Sequence, residues 1–288
     1  MSWWDVFRVV VGFLALGIIA YAWAVEPVLI KITRRDIEIP GLPSALAGIK
    51  ICHLSDLHVA GYGRIERALR KVLMQIEADI CVITGDIVAT RGGIPVLAEV
   101  LEGFSPKHGV FGVLGNGEHD PTMPGVETAE ELRKLGIQVL VNESASVSIN
   151  GSEVQIVGVD DPFLGLDDVE KAFAGLGRGS LRILLAHSPD VLMSLGEHSV
   201  DIIFAGHTHG GQIRVPVFGV VWTHCRYNLH IASGYFGPEA ISLKVGRNLQ
   251  TRIYVSRGIS GSGIRARFLC RPEVAILTLK PEPSTLAS

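Results

Sequence analysis

From residue 49 onwards, short apolar runs alternate with amphipathic stretches, and this alternation limits the folds that are open to the chain. The runs at 49–54, 79–84 and 109–114 have the length and composition of buried β-strands. Between the first two, residues 64–76 repeat apolar side chains with a helical period. Strands that alternate with helices indicate an α/β domain. The predicted helices are 64–76, 94–104 and 127–136.

Further strands, but fewer helices, are predicted in the second half of the chain. Asn150-Gly151 separates two strand-like runs, and this dipeptide is a strong signal for a hairpin turn. We therefore expect two sheets with helices outside them, in one large domain that spans 49–280. Residues 31–48 are interpreted as a linker and 281–288 as a disordered tail. The additional predicted strands are 138–142, 145–149, 154–159, 181–186, 201–206, 241–245, 251–256 and 274–279.

An apolar segment without charged residues, 9–25, precedes this domain and lies at the short end of what spans a bilayer. The alternatives are a buried core helix and a signal peptide cleaved at the Ala-Trp-Ala of 22–24. The segment is long for a signal peptide, and its N-terminal flank has only Arg8, offset by Asp5. We therefore interpret residues 1–30 as an uncleaved transmembrane anchor. Aromatic residues near both ends of the segment suit the headgroup region: Trp3, Trp4, Tyr21 and Trp23.

Charges outside the apolar segment bear on sidedness and on partners. Lys31, Arg34 and Arg35 follow the segment, whereas Arg8 alone precedes it. By the positive-inside rule, the domain is expected on the cytoplasmic face of the membrane. The formal net charge of −3 gives no electrostatic footprint for nucleic acid, so we expect no nucleic-acid partner.

Side chains that bind metals stand directly after successive predicted strands. Carboxylate, amide and imidazole groups of this kind are ligands of divalent transition metals. In extended backbone, residues two apart point to the same side, so Asp56 and His58 can address one ion, as can His207 and His209. Taken singly, such an aspartate is usually a helix cap and such a histidine is usually structural; together they predict a centre for two ions. The candidate ligands are Asp56, His58, Asp86, Asn116, His187, His207 and His209.

The order Asp-x-His, Gly-Asp, Gly-Asn, His and Gly-His-x-His resembles the calcineurin-like metallophosphoesterase superfamily over about residues 49–280. The stretches "GHTHGGQ" and "YVSRGISGSGIRARFLCRPE" are similar to its membrane-anchored bacterial branch. The resemblance implies an α/β fold in which two mixed β-sheets are sandwiched between helices, with a metal centre at one edge. It also implies two divalent ions, with manganese favoured and iron or zinc as alternatives. By resemblance, one ion takes Asp56, His58 and His209, the other takes Asn116, His187 and His207, and Asp86 bridges them.

The same resemblance implies the reaction, in which a hydroxide that bridges the metals attacks phosphorus. No protein nucleophile is needed for this step. The expected catalytic residues are Asp86 and Asn116, with His119 as a further candidate.

The stretch "GNGEHD" at 115–120 departs from the family pattern. Family members carry a histidine after the asparagine, which contacts the phosphate and is thought to assist the leaving group, but this chain has Gly117. Three interpretations remain open: His119 takes over through a different loop path, the reaction needs no acid there, or the site binds metal but is catalytically weak.

The second interpretation has a chemical basis, because a phosphate that leaves from a pyrophosphate needs no protonation, whereas an alkoxide does. The chain also resembles family members that cleave the pyrophosphate of UDP-2,3-diacylglucosamine in lipid A synthesis and lack the same histidine. A membrane anchor suits such an acylated substrate. The alternatives are a phosphomonoesterase or phosphodiesterase acting on another substrate, and a catalytically silent metal-binding protein.

Arginines near the last motifs are candidates for binding the phosphorylated substrate, since a guanidinium can bind phosphate through two hydrogen bonds. A solvated surface position is the alternative for each of them. The apolar stretch at 215–222 can flank a lipid groove or lie in the core of a sheet, and we expect the core. The candidate arginines are Arg214, Arg265 and Arg267.

Overall fold

Two mixed six-stranded sheets form the body of the protein in the computed structural model, which describes residues 2–177, 179–227 and 229–283. In the first sheet, β12 runs antiparallel to β2, while the other neighbouring strands run parallel. Its strands, in spatial order, are β1 (Lys31–Ile39), β12 (Glu273–Pro281), β2 (Lys50–Leu54), β3 (Ile80–Thr84), β4 (Val110–Val113) and β5 (Ile137–Val139).

The second sheet is antiparallel at its two edges and parallel between them. The hairpin between its last two strands turns at Asn150 and Gly151, which both have left-handed φ angles, 50° and 81°. This is the backbone that a tight two-residue turn requires, and it confirms the predicted hairpin. The strands, in spatial order, are β10 (Gly234–Phe236), β11 (Arg252–Val255), β9 (Ile202–Ala205), β8 (Leu181–Leu185), β7 (Ser152–Gly158) and β6 (Glu143–Ile149).

Helices cover the outer face of each sheet, so the layers run helix, sheet, sheet, helix. An apolar stripe holds α2 (Arg64–Leu73) on the first sheet, because Ile65, Leu69 and Leu73 share one face of the helix and are buried against that sheet. Ile51 and Phe204 lie in the core between the two sheets. This arrangement confirms the predicted fold class. The helices are α1 (Trp3–Ala24), α2 (Arg64–Leu73), α3 (Gly93–Leu101), α4 (Gly125–Lys134), α5 (Val169–Phe173), α6 (Val191–Ser194) and α7 (Pro238–Val245).

Two local expectations are wrong. The segment 31–48 is not a free linker, because β1 pairs along its whole length with β12 in the first sheet. Residues 241–245 form the end of α7 rather than a strand, since Pro238 can begin a helix and Gly246, in left-handed backbone, ends it. Of the predicted tail, Pro281 belongs to β12, and 284–288 lie outside the described residues.

Helix α1 is exposed along its length and is a candidate membrane anchor. The span Trp3–Val28 has a mean hydropathy of 2.0, and within α1 Ala22 is the buried residue, which argues against a core helix. The end of the helix is joined to the domain: Ala22 accepts a backbone hydrogen bond from Arg267 at 2.9 Å. The buried carboxylate of Glu26 accepts from the backbone of Leu269 and Cys270. Residues 22–26 therefore belong to the folded domain.

Candidate metal centre

The candidate ligands meet where strands of both sheets end. The loops after β2 and β3 run side by side, and His58 donates its backbone N–H to the carbonyl of Asp86 at 2.8 Å. A second contact joins the sheets, because the backbone N–H of His207 lies 3.1 Å from the Asp56 Oδ1 that accepts it. The carboxyl ends of the strands therefore bring residues far apart in sequence to one place, as the sequence predicts.

The backbone at these ligands is not extended, which corrects the geometric reason given for the two pairs. A non-glycine residue with positive φ is uncommon, and such residues concentrate at functional sites. The turns direct His209 towards Asp56 but His207 towards His187, so the two histidines of this pair face different partners. The ligands in left-handed backbone are Asp56 (φ 51°), His58 (45°), Asp86 (49°), His207 (67°) and His209 (48°).

One group of four side chains has the geometry of a metal site. Ligand atoms of Asp56, His58, Asp86 and His209 all lie within 4.8 Å of one another. His58 Nε2 is 3.3 Å from Asp86 Oδ2, and His209 Nε2 is 3.5 Å from Asp56 Oδ1. His58 Nε2 is buried and has no hydrogen-bond partner among the described residues. Two carboxylates and two imidazoles, one of them with a buried nitrogen that lacks a partner among the described residues, fit a divalent transition metal.

A second group converges on the fully buried ring of His187. Its Nε2 is 3.1 Å from His207 Nδ1 and 3.2 Å from Asn116 Oδ1. The same nitrogen is 3.5 Å from Asp86 Oδ2, the carboxylate oxygen that also faces His58. Asp86 Oδ2 therefore lies between the two groups.

Backbone carbonyls fix the orientation of three of the imidazoles. A carbonyl only accepts hydrogen bonds, so the ring nitrogen that faces it must carry a proton, and the other nitrogen is turned to the centre. Histidines that bind metals show this arrangement. The pairs are His187 Nδ1 with Thr84 (2.9 Å), His207 Nε2 with His224 (3.0 Å) and His209 Nδ1 with Ser260 (3.1 Å).

The charge states also suit metal binding. Burial lowers the pKa of His207 to about 3 and that of His209 to about 4, so both rings are neutral near pH 7. Burial opposes ionisation of Asp86, but His187 and His58 outweigh it and hold its pKa below the usual range. Burial also disfavours a charged His187, yet the adjacent carboxylates raise its pKa. The field of the carboxylates thus favours positive charge at this place, which a divalent cation also supplies.

Comparison with known proteins identifies the family. Residues 49–211 match the calcineurin-like phosphoesterase domain. The chain belongs to this family. The uncharacterized metallophosphoesterase YkuE of Bacillus subtilis is 31% identical, over 90% of this chain and 89% of that protein. UDP-2,3-diacylglucosamine pyrophosphatase LpxG of Chlamydia trachomatis is 27% identical, over 94% of this chain and 96% of that protein. Phosphodiesterase YaeI of Escherichia coli is 29% identical, over 81% and 83%.

Membership of the calcineurin-like phosphoesterase family confirms the predicted enzyme class, a metal-dependent phosphoester hydrolase. It accounts for a buried cluster of metal-type side chains at the strand ends, which the described residues provide. The departure of this chain from the family pattern, at Gly117, lies beside that cluster.

Gly117 contacts the carboxylate of Asp86 through its backbone. Its N–H donates to Asp86 Oδ1 at 2.7 Å. A Cβ at this position would lie only 2.8 Å from the same oxygen, closer than real Cβ atoms approach, so a side chain here would displace either the loop or Asp86. In this phosphoesterase the loop thus contributes a backbone donor at the position where the family pattern has a histidine.

Glu118 is a residue that the sequence reasoning missed. It is fully buried, and its carboxylate accepts backbone N–H groups from two loops at once. It thereby fixes the loop that carries Asp86 to the loop that carries Asn116. A signal was present in the sequence, because a glutamate three residues after Gly115 can cap the turn that begins there. The donors are Asp86 (3.0 Å), Ile87 (2.6 Å), Val88 (3.0 Å) and Gly115 (2.8 Å).

His119 is held by a different partner. Its Nε2 is 2.7 Å from Asp160 Oδ1, and this hydrogen bond raises its pKa. Its ring packs beside Gly125, at the start of α4. The described contacts of the His119 side chain thus lie with Asp160 and α4.

The three candidate arginines have different surroundings. Arg267 is fully buried and donates to backbone carbonyls, which contradicts its predicted contact with substrate. It instead holds the chain after β11 around the carbonyl of His209. Arg214 donates to the carbonyl of Gly210 and to Ser233, both at 2.9 Å, whereas Arg265 is exposed. The carbonyls bonded to Arg267 are those of Arg257, Ser260, His209 and Cys270.

Proposed function

We propose that this phosphoesterase binds two divalent ions that share Asp86 and hydrolyses the pyrophosphate bond of UDP-2,3-diacylglucosamine, in lipid A synthesis, at a bacterial inner membrane. The observation that carries the proposal is the position of Asp86 Oδ2, 3.3 Å from His58 Nε2 on one side and 3.5 Å from His187 Nε2 on the other.

The second group supports a second ion because its acceptors outnumber its protons. With Nδ1 of His187 and Nε2 of His207 donating to carbonyls, the other two ring nitrogens face each other at 3.1 Å and can hold at most one proton between them. Asn116 Oδ1 and Asp86 Oδ2 add two more acceptors. Converging lone pairs repel one another unless a proton or a cation lies between them, and a metal ion satisfies all of them together.

The metals supply the reactive chemistry when bound, because they lower the pKa of coordinated water and neutralise charge on phosphoryl oxygens. The residues of this chain supply position. Asp86 keeps the two groups at a fixed separation, and the buried histidines bind as neutral donors whose orientation the carbonyls fix. We propose manganese as the resident metal, with iron or zinc as alternatives.

The lack of an imidazole at Gly117 supports a pyrophosphate as the proposed substrate. Gly117 offers no imidazole, and His119 is engaged with Asp160. A phosphoanhydride needs no proton on its leaving group, whereas an alkoxide does, so this site suits a pyrophosphate better than a monoester of an alcohol. The likeness to LpxG supports the same substrate. The second candidate is a phosphodiesterase, which the likeness to YaeI favours.

The membrane location rests on α1. Its exposed apolar surface and its length are those of a single-pass anchor, and its end is hydrogen-bonded to the domain at Ala22 and Glu26. Lys31, Arg34 and Arg35 follow it, so we propose that the metal centre faces the cytoplasm.

Full-length protein in detergent micelles tests the substrate, because a truncation after residue 30 would remove Glu26 and the contacts it makes. With Mn²⁺ supplied, we expect release of UMP from UDP-2,3-diacylglucosamine, abolished in Asp86→Asn. Turnover of bis-p-nitrophenyl phosphate without UMP release would favour the phosphodiesterase. Turnover of p-nitrophenyl phosphate that collapses in His119→Ala would contradict the proposal, because it would make His119 the missing acid.

Elemental analysis of the purified protein tests the number of ions. We expect two ions per chain, and the loss of one in His187→Ala with the other retained. Asp160→Asn is the matched control, since it changes a polar residue outside both ligand groups. A single ion in the wild type, unaffected by His187→Ala, would overturn the second site.

A further inference from the structure

The apolar loop, which we define as residues 213–222, is exposed rather than buried, contrary to the expectation that 215–222 lies in a core. Val215 and Gly219 exchange backbone hydrogen bonds at 2.9 and 2.7 Å, which makes a tight tip. Val217 at this tip has a left-handed φ of 70°, an outlier for a β-branched residue. Phe218 is 81% exposed and Trp222 is 69% exposed. Contiguous exposed apolar side chains of this kind mark an interaction surface.

The base of the apolar loop lies close to the end of α1. Arg214 donates its backbone N–H to Phe268 at 2.9 Å, and Phe268 donates to Gln212 at 3.1 Å. In the same short segment, Arg267 donates its backbone N–H to the carbonyl of Ala22 in α1 at 2.9 Å. Hydrogen-bonded backbones lie about 5 Å apart, so the loop base is within roughly 10 Å of the end of the helix.

Two cavities that share a lining residue lie at the end of α1 and beside the metal centre. One, of about 280 Å³, lies between Trp222 and the ligand His209. The other, of about 420 Å³, is lined by Trp23 at the end of α1 and by Arg265. Exposed Ile264 borders both cavities, and we call the two together the groove. Its lining is mixed: in the cavity at His209, Trp222 and Ile264 stand beside polar side chains such as Gln212 and His224.

We propose that the apolar loop, with Ile264 and Leu269, inserts into the surface of the lipid bilayer that α1 enters and so presents the mouth of this groove to membrane-bound substrate. The inference deepens the proposed function and rests on α1 as the anchor. Aromatic and aliphatic side chains at the tip suit the boundary between headgroups and acyl chains. Since α1 would tether the domain, a loop of modest intrinsic affinity is enough to keep this face on the membrane.

Continuity with α1 selects a bilayer as the occupant. Trp23 at the end of α1 lines one cavity with Ile264, and Ile264 lines the next with Trp222 of the loop, so exposed apolar side chains run from α1 to the loop. The cavity beside Trp23 is also lined by Arg64, Glu66 and Arg265. Arg64 donates to the carbonyl of Ala24 and Glu66 is buried, whereas exposed Arg265 can meet anionic headgroups.

Fluorescence from full-length protein in liposomes tests the contact. We would label Phe218→Cys with the NBD fluorophore in a Cys225→Ser background, and Leu243→Cys as the matched control, because Leu243 on α7 is 80% exposed. A blue shift and quenching by doxyl-labelled lipid at position 218, but not at 243, is the expected result. Unshifted emission at both positions would overturn the proposal. A shift at 218 that appears equally in detergent and grows with protein concentration would also overturn it, because it would indicate a protein partner.

Kinetics on two substrates give an independent readout. In the double variant Val217→Asp and Phe218→Asp, we expect KM for vesicle-borne UDP-2,3-diacylglucosamine to rise by about tenfold. Hydrolysis of soluble bis-p-nitrophenyl phosphate should not change, and Leu243→Asp should alter neither activity. An unchanged KM for the vesicle-borne substrate would count against a role of the loop in substrate access.

The two proposals can fail separately. If the wild type does not release UMP, the proposed substrate is wrong, while the fluorescence still decides whether the loop touches lipid. If alkaline carbonate releases the protein from membranes, α1 is not an anchor, and the bilayer surface proposed for the loop falls with it.

Discussion

Two kinds of loop border the carboxylate of Asp86, and they contribute different groups to the site. The loops at 56–58 and 207–209 direct ligand side chains inwards from left-handed backbone. The loop at 115–120 instead gives Asp86 the N–H of Gly117 and braces it through Glu118. The difference indicates that the loop at 115–120 has its own structural role at Asp86, because the Gly117 N–H and the Glu118 carboxylate both hold the segment that carries it.

The largest effect is expected from Asp86→Asn, which keeps the size of the side chain but removes the charge shared by both groups. We expect kcat to fall by at least about a thousandfold, since stabilisation by the metals depends on their position. Measured metal content should fall with it, while circular dichroism should show a folded protein. Retained activity would mean that Asp86 does not join the two groups. The comparison of the loops around Asp86 would then no longer bear on the reaction.

A second substitution asks whether the loop at 115–120 can recover the family side chain. Gly117→His should lower activity instead of raising it, because its Cβ would lie 2.8 Å from Asp86 Oδ1. A displacement of this kind can reduce turnover by about a hundredfold. Gly117→Ala is the matched control, since it adds the Cβ without the imidazole and should do similar damage. Gain of p-nitrophenyl phosphate hydrolysis in Gly117→His alone would contradict this and would make the glycine a simple loss.

Glu118→Gln tests whether the buried carboxylate of Glu118 is needed to hold the two loops together. One carboxylate oxygen becomes an amide that cannot accept, so at least one buried N–H loses its partner, at a cost of about 1–3 kcal/mol in the free energy of unfolding. We expect a lower Tm and a moderate loss of kcat, because the loop that carries Asp86 loosens. Glu127→Gln, at an exposed position on α4, should change neither quantity. An unchanged Tm in Glu118→Gln would show that the brace is not needed.

The cluster of Asp56, His58, Asp86 and His209 could be anticipated from the sequence because it depends on local order: polar residues that follow buried runs lie at the carboxyl ends of strands. The pairing of strands that lie far apart in the sequence could not be predicted in this way. β1 joins the sheet only through β12, its partner from the far end of the chain, and its own pattern of charges looks like a linker.

Exposure of the apolar loop was also beyond the sequence, since periodicity alone does not distinguish a buried apolar run from one at a surface. Glu118 was missed for a related reason. Its four donors belong to two loops that meet only in the folded protein.

The smallest effect is expected from His119→Gln, and it decides what the histidine two places after Gly117 does. The hydrogen bond to Asp160 raises the pKa of His119 above 6.5, so the protonated pair stabilises the fold. This contribution is complete below about pH 6.5 and disappears as pH rises through the higher folded pKa. Wild type should therefore exceed His119→Gln by a few tenths to about 1 kcal/mol near pH 6, and by nothing at about pH 9. Urea unfolding at both pH values measures the difference, and UMP release should change by less than about twofold. If hydrolysis collapsed while stability stayed the same at both pH values, His119 would act on the substrate. The loop at 115–120 would then supply, through His119, the acid that is absent at Gly117.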